Sequence, residues 1–237
     1  MDGAPTQAAP EPRRELKVWW RSIYITGPVV MLIAVAPYTR LTFHLDRALR
    51  ELGIHDNLWQ IREVGCFSIQ VALLVMIVLF WELRPLASIG VHPPKEIDLA
   101  WGIAAFAIIA VGYIFWSAAT LPSVAAESAR TQLATWASQS EPWKIILSIC
   151  ASFFEETYFR GYVIERVEEI TGSMNIGVFL GTAVDLYIHS VYWDTSVVIS
   201  IAFLQVSLAL LYLWRRSVTS CVIAHFLLDA LSGLWGP

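Results

Sequence analysis

Ser152-Phe153-Phe154-Glu155-Glu156-Thr157-Tyr158-Phe159-Arg160-Gly161-Tyr162 is the stretch on which the reading of this chain turns. Two adjacent carboxylates and an arginine stand in an apolar, aromatic run that begins near Trp143. An acidic residue in a lipid-spanning helix costs on the order of 2.5–3.5 kcal/mol on insertion scales, so it normally has a partner or a task. Helix geometry separates the two carboxylates. Glu156 precedes Arg160 by four residues, the better orientation for an ion pair on one helix face. Glu155 is turned about 100° round the helix, where the residue four positions on is Phe159 and offers no charge. One glutamate is therefore expected to be neutralised by Arg160, and the other is left for chemistry.

The composition sets the surroundings of that stretch. With 237 residues, 57% hydrophobic content, 11 tryptophans and a mean hydropathy of +0.58, the chain does not suit a soluble domain. Several apolar runs approach or exceed the roughly 20 residues a bilayer helix needs. A closed barrel would instead show alternating segments of about 10 residues. The expected fold is all-α, a polytopic transmembrane helical bundle of about 7–8 spans, with the site in a cavity within the membrane. A net charge of −4 carries no nucleic-acid signature, so no nucleic-acid partner is expected. Cys66, Cys150 and Cys221 lie in apolar runs without close spacing, which fits packing residues better than a disulfide framework or a zinc site.

Outward from the motif, the chain reads as one integral membrane domain. Residues 1–18 are a disordered basic arm with Pro5, Pro10, Pro12, Arg13, Arg14 and Lys17, and the long apolar run after it reads as an uncleaved span. Residues 19–142 are N-terminal membrane helices with an interfacial segment, and 143–237 are the helices that carry the polar groups. Spans are expected near 19–38, 65–83, 97–120, 143–163, 174–192, 196–214 and 217–235. Leu41, Leu45, Ala48, Leu49 and Leu52 recur at helical spacing between charged residues, so 41–64 reads as an amphipathic helix at the interface. Residues 121–142 read as a loop with a short helix. Asp98 is expected in the first turn of its helix, and Gly172 is expected to end the polar tail that follows the fourth span. Aromatics near the span ends, among them Trp81, Trp143 and Trp214, form a membrane-interface belt. Arg13, Arg14, Lys17, Arg21, Arg84, Lys95, Arg160, Arg166, Arg215 and Arg216 fall on one side, against Arg40, Arg47, Arg50, Arg62, Arg130 and Lys144 on the other, which predicts a cytoplasmic N-terminus. The expected location is the plasma (inner) membrane.

Two further spans carry ionisable groups at helical spacing. Asp185 and His189 share a face of the fifth, and His225 and Asp229 share a face of the seventh. Intramembrane groups of this kind normally face the bundle interior. At 1.5 Å per residue, Glu155 lies about 13 Å and His225 about 12 Å from the expected cytoplasmic ends, whereas His189 comes out about 22 Å deep. That mismatch is the weak joint in a shared site.

Glu155-Glu156-x-x-x-Arg160, then His189, then His225-x-x-x-Asp229, in this order on successive membrane helices, resembles the CPBP family. These are the type II CAAX prenyl endopeptidases and their bacteriocin-processing and immunity relatives. Tyr158-Phe159-Arg160-Gly161-Tyr162 and Leu211-Tyr212-Leu213-Trp214-Arg215-Arg216 agree with it, and the likeness covers about 143–235, making 143–237 the CPBP-like catalytic helices. The resemblance implies a metal-independent glutamate intramembrane endopeptidase without a cofactor. Glu155, with His189, would activate a water for attack on a peptide carbonyl. His225 and Asp229 would stabilise the oxyanion, and Glu156 and Arg160 would be the family's ion pair. Asp185 departs from the aromatic usual at that position and would support His189; Asp229 stands where the prenyl proteases tend to have asparagine. The implied partners are the lipid bilayer and a protein or peptide substrate entering from the membrane, prenylated or with a hydrophobic C-terminal segment.

Other readings compete. Glu155, Glu156 and Arg160 form a structural ion cluster in one, and His225 with Asp229 a helix-packing pair. A metal-dependent protease would draw ligands from Glu155, His189, His225 and Asp185 or Asp229. A non-catalytic family member would act as a bacteriocin-immunity or partner-binding protein, and a carrier would move protons on the buried carboxylates.

Overall fold

In the computed structural model of the chain, the described residues are 37–120, 134 and 138–231. The basic arm, most of the first expected span and most of the 121–142 loop lie outside them. All the secondary structure among the described residues is helical. Helix α1 runs Pro37–Glu51 and α2 runs Leu58–Met76, continuing as a π-helical turn over Ile77–Trp81. A 3-10 turn at Leu86–Ile89 precedes α3, Glu96–Thr120. Helix α4, Glu141–Glu155, passes without a break into a π-helical segment at Glu156–Val163 and then into α5, Ile164–Thr171. Helices α6, α7 and α8 follow at Met174–Tyr192, Thr195–Arg215 and Val218–Ala230.

Four helical stretches are long and apolar enough to cross a membrane: Leu58–Trp81, Glu96–Trp116, Met174–Val191 and Val197–Arg215. The expected seven to eight spans are thus met only in part. The fourth expected span carries too much charge to qualify by apolarity, and the seventh is a shorter apolar helix, Val218–Ala230, within the described residues. The segment 41–64 is corrected. It is not one interfacial helix: α1 stops at Glu51, Gly53 turns with a φ of 77°, and Leu58 already begins the second span. That break allows Arg62, on α2, to meet Asp46 of α1 at 3.2 Å.

Helix α4 and its π continuation lie at the centre, packed against α2, α6 and α8, while α8 also packs on α3 and α7. One apolar cluster joins Leu74 and Val78 of α2 to Phe154, Tyr158, Phe159 and Tyr162. A second joins Ile109 of α3 to Leu208 and Tyr212 of α7 and to Cys221 and Leu228 of α8. Phe80, Ile108, Phe115, Phe179 and Leu210 point outward and are exposed, the arrangement expected where lipid rather than protein covers a helix.

Asp98 sits in the first turn of α3, and its Oδ2 accepts from the Lys95 backbone N–H at 3.1 Å. Gly172 caps α5 at a φ of 71°. The connection between α2 and α3 crosses the π-helical segment at Gly161, where an added Cβ would lie 2.5 Å from the Ile89 carbonyl oxygen. The same loop ties down the start of α8, since Val218 N–H donates to the Gly90 carbonyl at 3.2 Å.

Candidate active site

The motif residues lie where α4 gives way to the π-helical segment. A π turn adds one residue per hydrogen-bonded ring, and such turns occur often at functional sites. Here the change begins at Glu156, immediately after Glu155. Glu156 is fully buried, with Arg160 3.2 Å away through Nη1. The pair expected from i,i+4 spacing is therefore present, but Arg160 is not its sole partner. His225 Nδ1 lies 2.8 Å from the same Glu156 Oε1, so that oxygen is shared between a guanidinium and an imidazole. The second oxygen, Oε2, is buried with no hydrogen-bond partner among the described residues.

With Nδ1 engaged by Glu156, His225 turns Nε2 towards the remaining acids. Asp229 Oδ2 is 3.4 Å from it and Glu155 Oε2 3.9 Å. Glu155 keeps some exposure, with 16% of its side chain accessible against none for Glu156. The two neighbouring carboxylates thus differ as helix geometry predicted, one enclosed among charges and one reachable.

His189 reaches the same place. The depth mismatch estimated from helix rise does not keep it away, for one donor atom each from Glu155, Asp185 and His189 lies within 4.8 Å of the others. Packing of α6 along the π segment brings the ring beside Glu155. His189 Nδ1 lies 2.9 Å from the Asp185 backbone carbonyl and 3.1 Å from Asp185 Oδ1. Because a carbonyl only accepts, Nδ1 carries a proton, and in the neutral ring the lone pair is on Nε2. Asp185, buried like Arg160, places its Oδ2 3.4 Å from Arg160 Nη1.

Two polar features were not anticipated from sequence. Gln205 of α7 is buried and accepts from Arg160 Nη2 through its backbone carbonyl at 3.0 Å and again through its side-chain oxygen. A lone amide in an apolar helix names no partner in sequence, so nothing could have assigned it to Arg160. The second feature is a buried network one turn further along. Arg166 directs Nε and Nη2 to Glu82, Nη1 to the Ser88 carbonyl and Glu169, and Nη2 also to Ser88 Oγ. Tyr162 donates to the other oxygen of Glu82 at 2.8 Å. Every donor of the Arg166 guanidinium is satisfied, as a buried arginine requires.

As a metal site, Glu155, Asp185 and His189 offer a suitable mixture of oxygen and nitrogen. Asp185 would have to turn from Arg160, whose guanidinium would face the cation.

Comparison with known proteins gives one match. A family model described as "Type II CAAX prenyl endopeptidase Rce1-like" matches residues 137–231, the part that contains Glu155, His189, His225 and Asp229. No curated protein and no solved structure matches the chain.

Proposed function

From its membership, over residues 137–231, of the Rce1-like type II CAAX prenyl endopeptidases, we propose that this integral membrane protein is a metal-independent glutamate endopeptidase. Its substrate is a protein or peptide cut near a membrane-embedded or lipid-linked terminus. The observation that carries the reading is the convergence of Glu155, His189 and His225 from three helices. Glu155 and His189 lie within 4.8 Å, a gap that one water bridges, and His225 Nε2 lies 3.9 Å from the same carboxylate.

In this mechanism Glu155 accepts a proton from that water as its oxygen attacks the peptide carbonyl carbon. His189, held by Asp185 through Nδ1, accepts a hydrogen bond from the water at Nε2 and orients it. The negative charge formed on the carbonyl oxygen is met by the Nε2–H of His225, which turns to it from Asp229 while Glu156 holds the ring at Nδ1. Oriented donors at this position typically contribute about 2.7–4 kcal/mol each. An ionised Asp229 would repel the oxyanion, so its part is to orient His225 or to act as a protonated donor. The tetrahedral intermediate collapses as the C–N bond breaks, and the proton taken by Glu155 passes to the leaving amine. Glu156 and Arg160 do not touch the substrate. They fix His225 from behind.

The test is to compare the terminal fragments of co-expressed membrane proteins between wild type and Glu155→Ala. Fragments that depend on Glu155, and disappear equally in His189→Ala and His225→Ala, are expected. Identical fragment sets would remove the catalytic assignment.

A further inference from the structure

Arg160 stands between the two histidines. Through Nη1 it faces Glu156 Oε1, which takes His225 Nδ1, and Asp185 Oδ2, whose partner oxygen Oδ1 lies 3.1 Å from His189 Nδ1. Each imidazole is thus linked to one guanidinium nitrogen through a single carboxylate. A guanidinium is planar and rigid, so fixing one of its nitrogens fixes the direction of the other. The nitrogen that is fixed is Nη2, and among the described residues its two acceptors belong to Gln205, the backbone oxygen at 3.0 Å and the side-chain oxygen.

We propose that Gln205 is a positioning residue that sets both histidines at once through Arg160. It anchors Nη2 to α7, which aims Nη1 at the two carboxylates and thereby orients His189 on α6 and His225 on α8. Without the side-chain acceptor, Nη2 keeps only the helix carbonyl, and the guanidinium can rotate so that Nη1 moves towards one carboxylate at the expense of the other. Both rings then lose a fixed orientation, though neither is near Gln205 in sequence. The catalytic part of this proposal rests on the protease reading above; the coupling of the two rings does not.

The experiment uses the full chain in lipid bilayers with ¹⁵N-labelled histidine. The resonances are assigned with His189→Ala and His225→Ala, and the variant is Gln205→Met, which keeps length but offers a guanidinium only a weak thioether acceptor. Nitrogen resonances of both rings are expected to move, and kcat to fall about 10- to 100-fold with KM nearly unchanged, the loss typical of a misplaced catalytic group. Gln205→Asn, which retracts the acceptor by one methylene, is read in the same way if the methionine variant does not accumulate. A merely structural role for Gln205 would lower the unfolding temperature and leave the rings unmoved, and that result overturns the proposal. So does movement of one ring alone, or unaltered kcat. If both rings move but the wild type cleaves nothing, the coupling stands and the protease reading falls.

Discussion

Arg160 is enclosed with two carboxylates, and their charges depend on it. Glu156 and Asp185 are almost wholly buried and approach Nη1 at 3.2 and 3.4 Å. Removing one partner of a buried ionic cluster typically costs about 3–5 kcal/mol, because the charges left behind have neither water nor a counter-ion. Arg160→Met is therefore expected to lower the thermal unfolding temperature in detergent and to reduce accumulation in the membrane. Glu155→Gln should behave differently. Glu155 is partly exposed, and its contact with His225 is long, at 3.9 Å. The variant is expected to fold normally while cleavage falls about 10²- to 10⁴-fold, the usual contribution of a general base. Equal unfolding temperatures for the two variants would contradict this division of roles. Metal dependence is argued on the same residues. A divalent cation among Glu155, Asp185 and His189 would sit against the Arg160 guanidinium, so cleavage is expected to continue after exhaustive chelation. Loss of activity on chelation, restored by one added metal, would transfer the mechanism to the metal-dependent alternative.

At the level of the elements, the π-helical segment at Glu156–Val163 depends on a glycine for its neighbours. A Cβ on Gly161 would meet the Ile89 carbonyl at 2.5 Å and Val218 Cγ2 at 3.1 Å. The first contact is with backbone, which cannot swing away as a flexible side chain could. Gly161→Ala is expected to displace the Leu86–Gly90 turn and to destabilise the protein by about 1–3 kcal/mol, the usual cost of overpacking. Thermal unfolding checks it, and an unchanged midpoint would show that the loop has room to yield. Most elements were legible in the chain because lipid demands long apolar runs and caps mark their ends. Met174–Tyr192 follows the turn at Gly172, and α7 stops at Arg216 in the left-handed region. The Glu156–Arg160 pair was legible for a similar reason, since helical spacing alone brings the two together. What escaped the reading needed tertiary placement. The π turn leaves no periodicity of its own, α2 begins before its apolar run does, and the long-range partners Gln205 and Glu82 carry no local sign of the arginines they serve. The mismatch in depth between His189 and Glu155 has a related reason: a count from helix ends ignores how α6 packs along the π segment.

On the scale of the whole molecule, the family match covers 137–231, yet the site does not stand on those residues alone. Arg166 lies within the match, but Glu82 and Ser88, which accept four of its five hydrogen bonds, lie before it. Leu74, Val78 and Ile89 complete the apolar cluster around Phe154, Tyr158 and Tyr162, and Ile109 and Ala110 complete the cluster around Tyr212 and Cys221. A fragment starting at residue 137 would expose both clusters and leave the Arg166 charge in a hollow without its main counter-ion. Such losses exceed the marginal stability of a typical domain, so the fragment is expected neither to accumulate nor to cleave. The contacts that hold the halves together are side-chain and loop contacts, so they should re-form between separate chains. Co-expression of residues 1–136 with 137–237 is accordingly expected to restore accumulation of the C-terminal fragment and cleavage of the wild-type substrate. Glu82→Leu in the first fragment should weaken that rescue, because it withdraws the carboxylate shared by Tyr162 and Arg166. A C-terminal fragment that folded and cut unaided would show that the N-terminal helices serve some purpose other than building the site.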